Sequence, residues 1–329
     1  PGRGGGAGLR GTPPNVPDPR GRGFGTDPPG KPPPRRFRPA SKASMALGMS
    51  AADDPAFWSP AVDIDLDALC GNFRLLADAA PSAEPSAVVK CDGYGLGAVP
   101  VARAPALREN CRTFFVAYPE EGARLRAGLA DIAPQSVIYV FNGPRAETLQ
   151  LFMQHRLTPA LNSLEQAALW ADAFPGAGAC LHIDTGMHRL GAPYTELQAV
   201  AALKGLALDL VMSHLACSSD PDHAKNPQQL EAFEKACAQF PGVRRSLAAS
   251  SGALLPAAYH YDVTRLGVGL YGGNPLDAPP SRVGPVATLT APVVQLRDAA
   301  AGETVGYAAT HAIDSPRRLA VVQLGYGDG

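Results

Sequence analysis

The sequence predicts an α/β fold: a (β/α)8 TIM-type barrel followed by a β-rich C-terminal domain that is incomplete within this chain. Three observations predict it. Eight short apolar or β-branched runs recur along residues 87–265, helix-like stretches separate most of them, and after Pro285 strand-like alternation continues with no long helical pattern between the strands. Short strands alternating with helices imply parallel βαβ units, and eight of them suit a barrel better than an open doubly wound sheet. A dinucleotide-binding sheet is the weaker reading, because no GxGxxG follows the first strand.

The elements run in order as follows. Residues 1–50 are crowded with Gly, Pro and Arg and hold few aliphatic side chains. Burial there cannot offset the entropy of ordering, so a disordered leader is expected. The favoured reading is a non-native leader with translation starting at Met45 or Met49, a basic functional tail being the other. Residues 51–284 hold the barrel, with strands expected at Ala87–Val89, Thr113–Val116, Val137–Phe141, Leu157–Leu161, Cys180–Ile183, Leu208–Met212, Arg245–Ala248 and Asp262–Arg265. Helices are expected at Glu120–Ala127, Ala146–His155, Leu164–Ala173 and Gln228–Gln239. Ser163 with Gln166 reads as a capping box, and Pro105 is expected to interrupt the first helix. Residues 285–329 begin the β domain, and the early strand Ala61–Leu66 is a candidate to join it. The chain stops at Gly329 inside a Gly-Tyr-Gly-Asp-Gly turn, which reads as cut short.

Composition narrows the function classes. A chain of 329 residues with 46% hydrophobic residues can bury a sizeable core, and a net charge of -1 gives no reason to expect nucleic acid or an anionic membrane as partner. No apolar run approaches a membrane span, and no signal peptide is readable. The six cysteines, at 70, 91, 111, 180, 217 and 237, show no CxxC pairing, which suits a reducing compartment; the cytoplasm is the expected location.

Chemistry-bearing residues fall at strand ends. Lys90 ends the first strand, Arg189 follows the fifth, His214 ends the sixth, Ser250 the seventh, and Arg265 and Gly267 the eighth. Parallel barrel strands deliver these ends to one rim, where active sites form, and the loops after strands seven and eight commonly bind phosphate. An apolar approach such as Val88-Val89 favours a neutral, nucleophilic lysine, and Tyr94 beside Gly95 can reach a bound phosphate. Each has a bland counterpart: a surface lysine, a packed tyrosine in a turn, a capping Asp184 beside a surface Arg189. His214, Cys217 and His223 match no strong zinc spacing, so no metal is expected.

Taken jointly and in order, these motifs resemble the alanine racemase family of fold-type III pyridoxal phosphate enzymes, from about Ala61 to Gly329. They are Val89-Lys90 with Tyr94-Gly95, Ile183 to Met187 with Arg189-Leu190-Gly191, Ser213-His214, Ser250, Arg265 with Gly267 and Leu270-Tyr271-Gly272, Glu303 to Tyr307, and Leu324-Gly325-Tyr326. The resemblance implies a homodimer that interconverts L-alanine and D-alanine for peptidoglycan synthesis. It implies Lys90 as Schiff-base lysine and one acid/base, with Tyr307 of the partner subunit as the other. Tyr94, Ser250 and Gly267 would hold the phosphate of pyridoxal 5'-phosphate, Arg265 would meet the pyridine nitrogen, Arg189 would meet the phenolic oxygen or a substrate carboxylate, and His214 would support the ring and Arg265. Removing an α proton and returning one on the opposite face requires a base on each face.

Three features depart from the family pattern. His182 stands where many relatives carry a carbamylated lysine that orients the arginine matching Arg189, so another anion or water is expected to do so. Ala249 stands where an asparagine is usual. The family's later phosphate-binding tyrosine and substrate-gating methionine lie beyond Gly329, so a racemase parent is expected without assurance that residues 1–329 alone are active or stably dimeric. A broad-specificity or serine racemase, a basic amino-acid decarboxylase, a zinc-assisted D-amino-acid lyase and a non-catalytic cofactor-binding barrel are the alternatives. The last typically lacks a β domain, and Val286–Leu324 argues against it.

Overall fold

Eight parallel strands form the centre of the molecule. The structure, a computed structural model, describes residues 59–328; the expectation for residues 1–50 lies outside the described residues. The barrel strands are β2 (Glu84–Val88), β3 (Thr113–Val116), β4 (Val137–Val140), β5 (Thr158–Leu161), β6 (Gly178–His182), β7 (Ala207–Met212), β8 (Arg244–Ser246) and β9 (Val263–Leu266). They pair in parallel in the order β8-β7-β6-β5-β4-β3-β2-β9. The seam between β8 and β9 is closed by the Asp262 N–H donating to the Arg245 carbonyl and the Arg265 N–H to the Ala248 carbonyl, both at 3.0 Å.

The sequence dictates two packed layers. Strand side chains alternate between faces. Phe115, Tyr139, Ala160, Cys180, Leu210, Met212 and Val263 fill the barrel interior, while their neighbours Phe114, Ile138, Leu161, Leu181 and Val211 pack outward against helices. The small Ala160 and Cys180 leave room for an aromatic column in which Phe115 stacks on Tyr139 at 4.8 Å and on Phe141 at 5.1 Å. Phe141 is the end of that column nearest the site described below. Tight packing of this kind fixes the strand ends relative to one another.

The outer ring holds α1 (Leu66–Ala79), α2 (Ala98–Arg108), α3 (Pro119–Gly128), α4 (Leu149–Gln154), α5 (Leu164–Ala173), α6 (Leu197–Ala201) and α7 (Lys225–Cys237). Only 3-10 turns follow β8 and β9, and α1 packs against two of them, Gly252–Leu254 and Val268–Tyr271. It starts where Asp65 accepts the N–H groups of Asp67 and Ala68 at 2.9 Å and buries Leu69, Phe73 and Leu76. Each such burial contributes about 1.5–3 kcal/mol. Buried Asn72 donates to the Gly284 carbonyl at 2.9 Å and accepts from the Gly284 N–H at 2.8 Å, which ties α1 to the chain leaving the barrel.

Two local expectations need correction. Pro105 does not interrupt the first helix; α2 runs through it. The lost N–H costs about 3 kcal/mol in a helix interior, but Val101, Ala102, Ala104, Pro105 and Ala106 are all buried there, and packing outweighs the defect. At α5 the Ser163 hydroxyl accepts the Gln166 N–H at 3.3 Å, as expected of a cap. The Gln166 amide oxygen, however, takes the Asn162 N–H rather than that of Ser163.

β1 (Ala61–Ile64) pairs antiparallel with β10 (Ala287–Thr290). β11 (Val293–Ala299) pairs with β14 (Arg317–Val322), and β12 (Thr304–Val305) with β13 (His311–Ala312). This β-rich segment leaves Val293, Val294, Leu296, Val321, Val322 and Leu324 exposed. Among the described residues, no helix is long and apolar enough to cross a membrane.

The outer layer sets the barrel's stability. Trp170 is 1% exposed, sits edge-on between Phe152 and Phe174, and donates to the Ala177 carbonyl at 3.1 Å. Trp170→Ala is expected to lower the unfolding free energy by about 3–5 kcal/mol. Denaturant titration measures it, and a loss under about 1 kcal/mol would contradict this packing.

Candidate active site

A cavity of about 490 Å³ opens at the C-terminal ends of the barrel strands. Lys90, Tyr94, Arg189, His214, Ser250, Arg265 and Gly267 all line it, as do His182, Phe141 and Ala249. Tyr307 does not; its side chain is 91% exposed. His214, Cys217 and His223 assemble into no metal-holding group among the described residues.

Lys90 lies two residues beyond β2, at the entry to a left-handed turn. Cys91, Asp92, Gly93 and Tyr94 have φ of 54°, 51°, 64° and 56°. That conformation costs about 1–2 kcal/mol for each residue with a Cβ, and such strain persists only where the surroundings over-determine it. Here Asp92 accepts the Ala98 N–H at 2.9 Å at the start of α2, and a second constraint comes from α3. Glu121 Oε1 accepts the Cys91 N–H at 2.7 Å while Oε2 accepts the Ala117 N–H at 2.8 Å. One buried carboxylate thereby stitches the turn after β2 to the turn after β3. Lys90 Nζ stands 5.9 Å from the centre of the Phe141 ring.

Opposite lies a donor-rich cradle. The Ser250 hydroxyl accepts the N–H groups of Gly267 at 2.9 Å and Gly269 at 3.2 Å. Tyr94 packs on Tyr271 with ring centres 4.4 Å apart, and Tyr271 donates to the Val88 carbonyl at 2.9 Å. Glycine at 267 allows this approach, since a Cβ there would lie 2.8 Å from the Tyr94 hydroxyl and would make the tyrosine shift. With both N–H groups on its oxygen, the Ser250 hydroxyl has its hydrogen left to donate. With the Tyr94 hydroxyl beside Gly267, it gives this side of the cavity polar donors suited to an anion.

Arg265 projects from β9 and is 3% exposed. Its guanidinium donates to the carbonyls of Ser246 and Ser213 and, at 3.4 Å, to His214 Nδ1. Burial pulls its pKa down to about 10, so it remains a cation at neutral pH. Among the described residues, no carboxylate lines the cavity. Burial, followed by Arg265 and Arg189, holds both His182 (down to about 3) and His214 well below the ordinary histidine range, so both rings are neutral. The wall therefore presents Lys90, Arg189 and Arg265 as its cationic side chains, and the acid whose charge reaches it is Asp184, at the base of the Arg189 loop. Chemically, that suits an anionic ligand with a planar body.

Arg189 rides on the loop after β6. Asp184 Oδ1 accepts the N–H groups of Gly186 and Met187 at 2.9 Å and His188 at 3.1 Å. Burial raises the Asp184 pKa, but these donors together outweigh it and hold the carboxyl low. The loop closes at Gly191, whose φ is 121° and where a Cβ would lie 2.6 Å from the Asp184 nitrogen. From α7, Gln229 donates to the His214 carbonyl at 3.0 Å and to Thr185 Oγ1 at 3.2 Å, and accepts the Ala216 N–H at 2.8 Å. It latches the Arg189 loop to the His214 loop. Glu121, Asn162 and Gln229 carried no motif in the sequence; their burial and partners appear only in the folded chain.

The family profile described as the alanine racemase N-terminal domain matches residues 64–275, and that of the alanine racemase C-terminal domain matches residues 286–329. An alanine racemase of Cereibacter sphaeroides (strain ATCC 17029) is 45% identical over 271 residues, spanning 81% of this chain and 74% of the relative. A catabolic alanine racemase of Agrobacterium fabrum is 41% identical over 276 residues, spanning 81% of this chain and 70% of that protein. Among solved structures, the alanine racemase of Bartonella henselae, with covalently bound pyridoxal phosphate, superposes with a TM-score of 0.74 at 33% identity. That match covers 82% of this chain and 76% of that one.

The two neutral histidines make stability depend on pH. Both bind protons below pH 6.5 in the unfolded chain but not in the folded one, so acidification favours unfolding. The unfolding free energy is expected to fall between pH 6.5 and 4 by up to about 1.4 kcal/mol per pH unit for each ring. Denaturant titrations at successive pH values measure the slope. A slope no shallower in a His214→Gln variant would contradict the assignment.

Proposed function

Because the chain belongs to the alanine racemase family, we propose that it interconverts L-alanine and D-alanine with pyridoxal 5'-phosphate by a two-base mechanism. The observation that carries the reading is the acid-free cavity in which Lys90, the Ser250–Gly267 cradle and buried Arg265 converge. The residues fit the cofactor. A lysine amine suits its aldehyde, the glycine approach at Tyr94 suits its phosphate, and a buried guanidinium with no acid partner suits its ring nitrogen. Bound there, the cofactor supplies a conjugated ring that spreads the charge left when a proton leaves the substrate Cα.

The chain's own groups do the rest. Lys90 holds the cofactor and moves a proton at Nζ on one face. Tyr307 of the partner subunit moves a proton at its hydroxyl on the other. A free tyrosine has a pKa of about 10, so its work as a base depends on positive charge at the site, and Arg189 and Arg265 furnish it. Arg265 gives up no proton readily, which limits how far the ring withdraws electrons and favours simple proton return over side reactions. Tyr94, Ser250 and Gly267 hold the phosphate, His214 supports the ring and Arg265, and Arg189 meets the phenolic oxygen or the substrate carboxylate. Phe141, Met187, Met212, Leu215 and Val268 give the cavity its apolar lining, which suits the removal of water around the reacting atoms once the cofactor is bound.

The homodimer belongs to the same proposal. Its support is the exposed Tyr307 on a segment that also exposes Val293, Val294, Leu296 and Val321. Supply of D-alanine for peptidoglycan in the cytoplasm completes the reading.

Incubation with L-alanine in deuterated water tests the reaction. The expected outcome is loss of optical activity with deuterium at Cα; carbon dioxide or pyruvate as the main product would sink it. Tyr307→Phe is expected to slow L-alanine turnover by about 100-fold or more, the usual contribution of a positioned acid/base, and to slow proton removal from D-alanine less. Equal slowing in both directions would refute its assigned face.

A further inference from the structure

The cavity that Arg189 lines also holds a histidine, His182, whose two ring nitrogens lie in different settings. Asn162 lies just beyond β5, and its amide nitrogen donates to the carbonyls of Phe141 and Ala160, both at 2.9 Å. Carbonyls are acceptors only, so the amide cannot be reversed. Its oxygen therefore faces His182, 2.9 Å from Nδ1. An oxygen acceptor at Nδ1 places the ring's proton there, and Nε2 of a neutral ring is then a lone pair. His182 is 8% exposed and lines the cavity, whereas Asn162 does not, so the free edge of the ring faces the cavity. Nε2 has no partner among the described residues, nor is it sealed from the cavity like the buried unpartnered atoms of Ser136, Asn226, His260 and Thr264.

Arg189 lines the same cavity and donates to no acceptor among the described residues. The other guanidinium, Arg265, is already committed to the carbonyls of Ser246, Ser213 and Leu247. We propose that His182 is a positioning residue for Arg189, accepting a hydrogen bond from its guanidinium through Nε2 and so setting where that cation meets the anionic group of the ligand. The proposal rests on the reading of this cavity as the racemase site. The groups around the ring are consistent with an acceptor that stays unprotonated. Burial first, then Arg265 on β9 and Arg189 on its own loop, oppose a charge on His182, and Asp184 alone among these favours one. His214, from the loop after β7, shares this surrounding and is neutral as well. The acceptor is thus uncharged, where a carboxylate or carbamate would be an anion. Arg189 keeps its full charge for the ligand.

Two isosteres separate this role from plain packing. Asparagine places an amide where Nδ1 stood and keeps the bond to Asn162 but loses the acceptor on the cavity side. Glutamine places an amide where Nε2 stood and keeps that acceptor but loses the bond to Asn162. His182→Asn is expected to raise KM for L-alanine by about 10-fold or more with kcat changed far less, the loss of one hydrogen bond to a charged group. His182→Gln is expected to keep KM within about threefold. Any other ordering of the two variants overturns the proposal. A second readout needs no turnover. In protein carrying 15N-histidine, the His182 signals should show a protonated Nδ1 and a bare Nε2 throughout pH 5 to 8, and Arg189→Leu should shift the Nε2 resonance alone. A protonated Nε2, or one indifferent to Arg189, overturns it. Failure of the unaltered protein to racemise alanine would instead remove the functional reading, and the nitrogen signals would still decide whether the two side chains are paired.

Discussion

The burial of one guanidinium organises this molecule. Arg265 sits where the barrel closes, and its donors reach the backbone carbonyls of Ser246, Leu247 and Ser213 across β8 and the end of β7. A buried cation without an acid would ordinarily be costly, by several kcal/mol after relaxation. Carbonyl dipoles, rather than a carboxylate, meet that cost, and they leave the cation's field uncancelled in the cavity. The neutrality of His214 and His182 follows from the same burial and the same charge. A closing seam and an anion-seeking site are therefore products of a single interaction.

The remaining geometry is built from latches that act between loops. Glu121 joins the turns after β2 and β3, Asn162 fixes the ring on β6, and Gln229 joins the loops after β6 and β7. Each comes from the outer ring or a strand end and satisfies backbone groups that would otherwise be unpaired at the rim. The strained turn after Lys90 is held in this way, so the lysine's position reflects α3 and α2 as much as its own strand. Preorganisation of this kind lowers the reorganisation needed when a ligand binds.

The barrel was legible in the sequence because its strands are short runs of Phe, Val, Ile, Leu and Ala with few competing signals; Thr113–Val116 and Val137–Val140 are the plainest cases. Lys90, Ser250 and Arg265 were legible because they fall at strand ends, where topology alone brings them together. Pro105 was misjudged because local helix chemistry was weighed without the packing of its neighbours. The latches were not legible. Glu121 acts on Cys91, 30 positions away, and Gln229 on Thr185, 44 away, distances at which a single polar residue carries no periodic signal. Tyr307 shows the opposite limit: nothing within one chain gives an exposed tyrosine a role, and its candidacy rests on family resemblance.

The central claim is that this cavity holds pyridoxal phosphate on Lys90. Borohydride reduction of the cofactor-loaded protein, followed by proteolysis and mass spectrometry, tests it most directly. The account predicts a phosphopyridoxyl group on the peptide containing Lys90 and on no other lysine peptide. Its absence, or its appearance on Lys204, Lys225 or Lys235 instead, would contradict it.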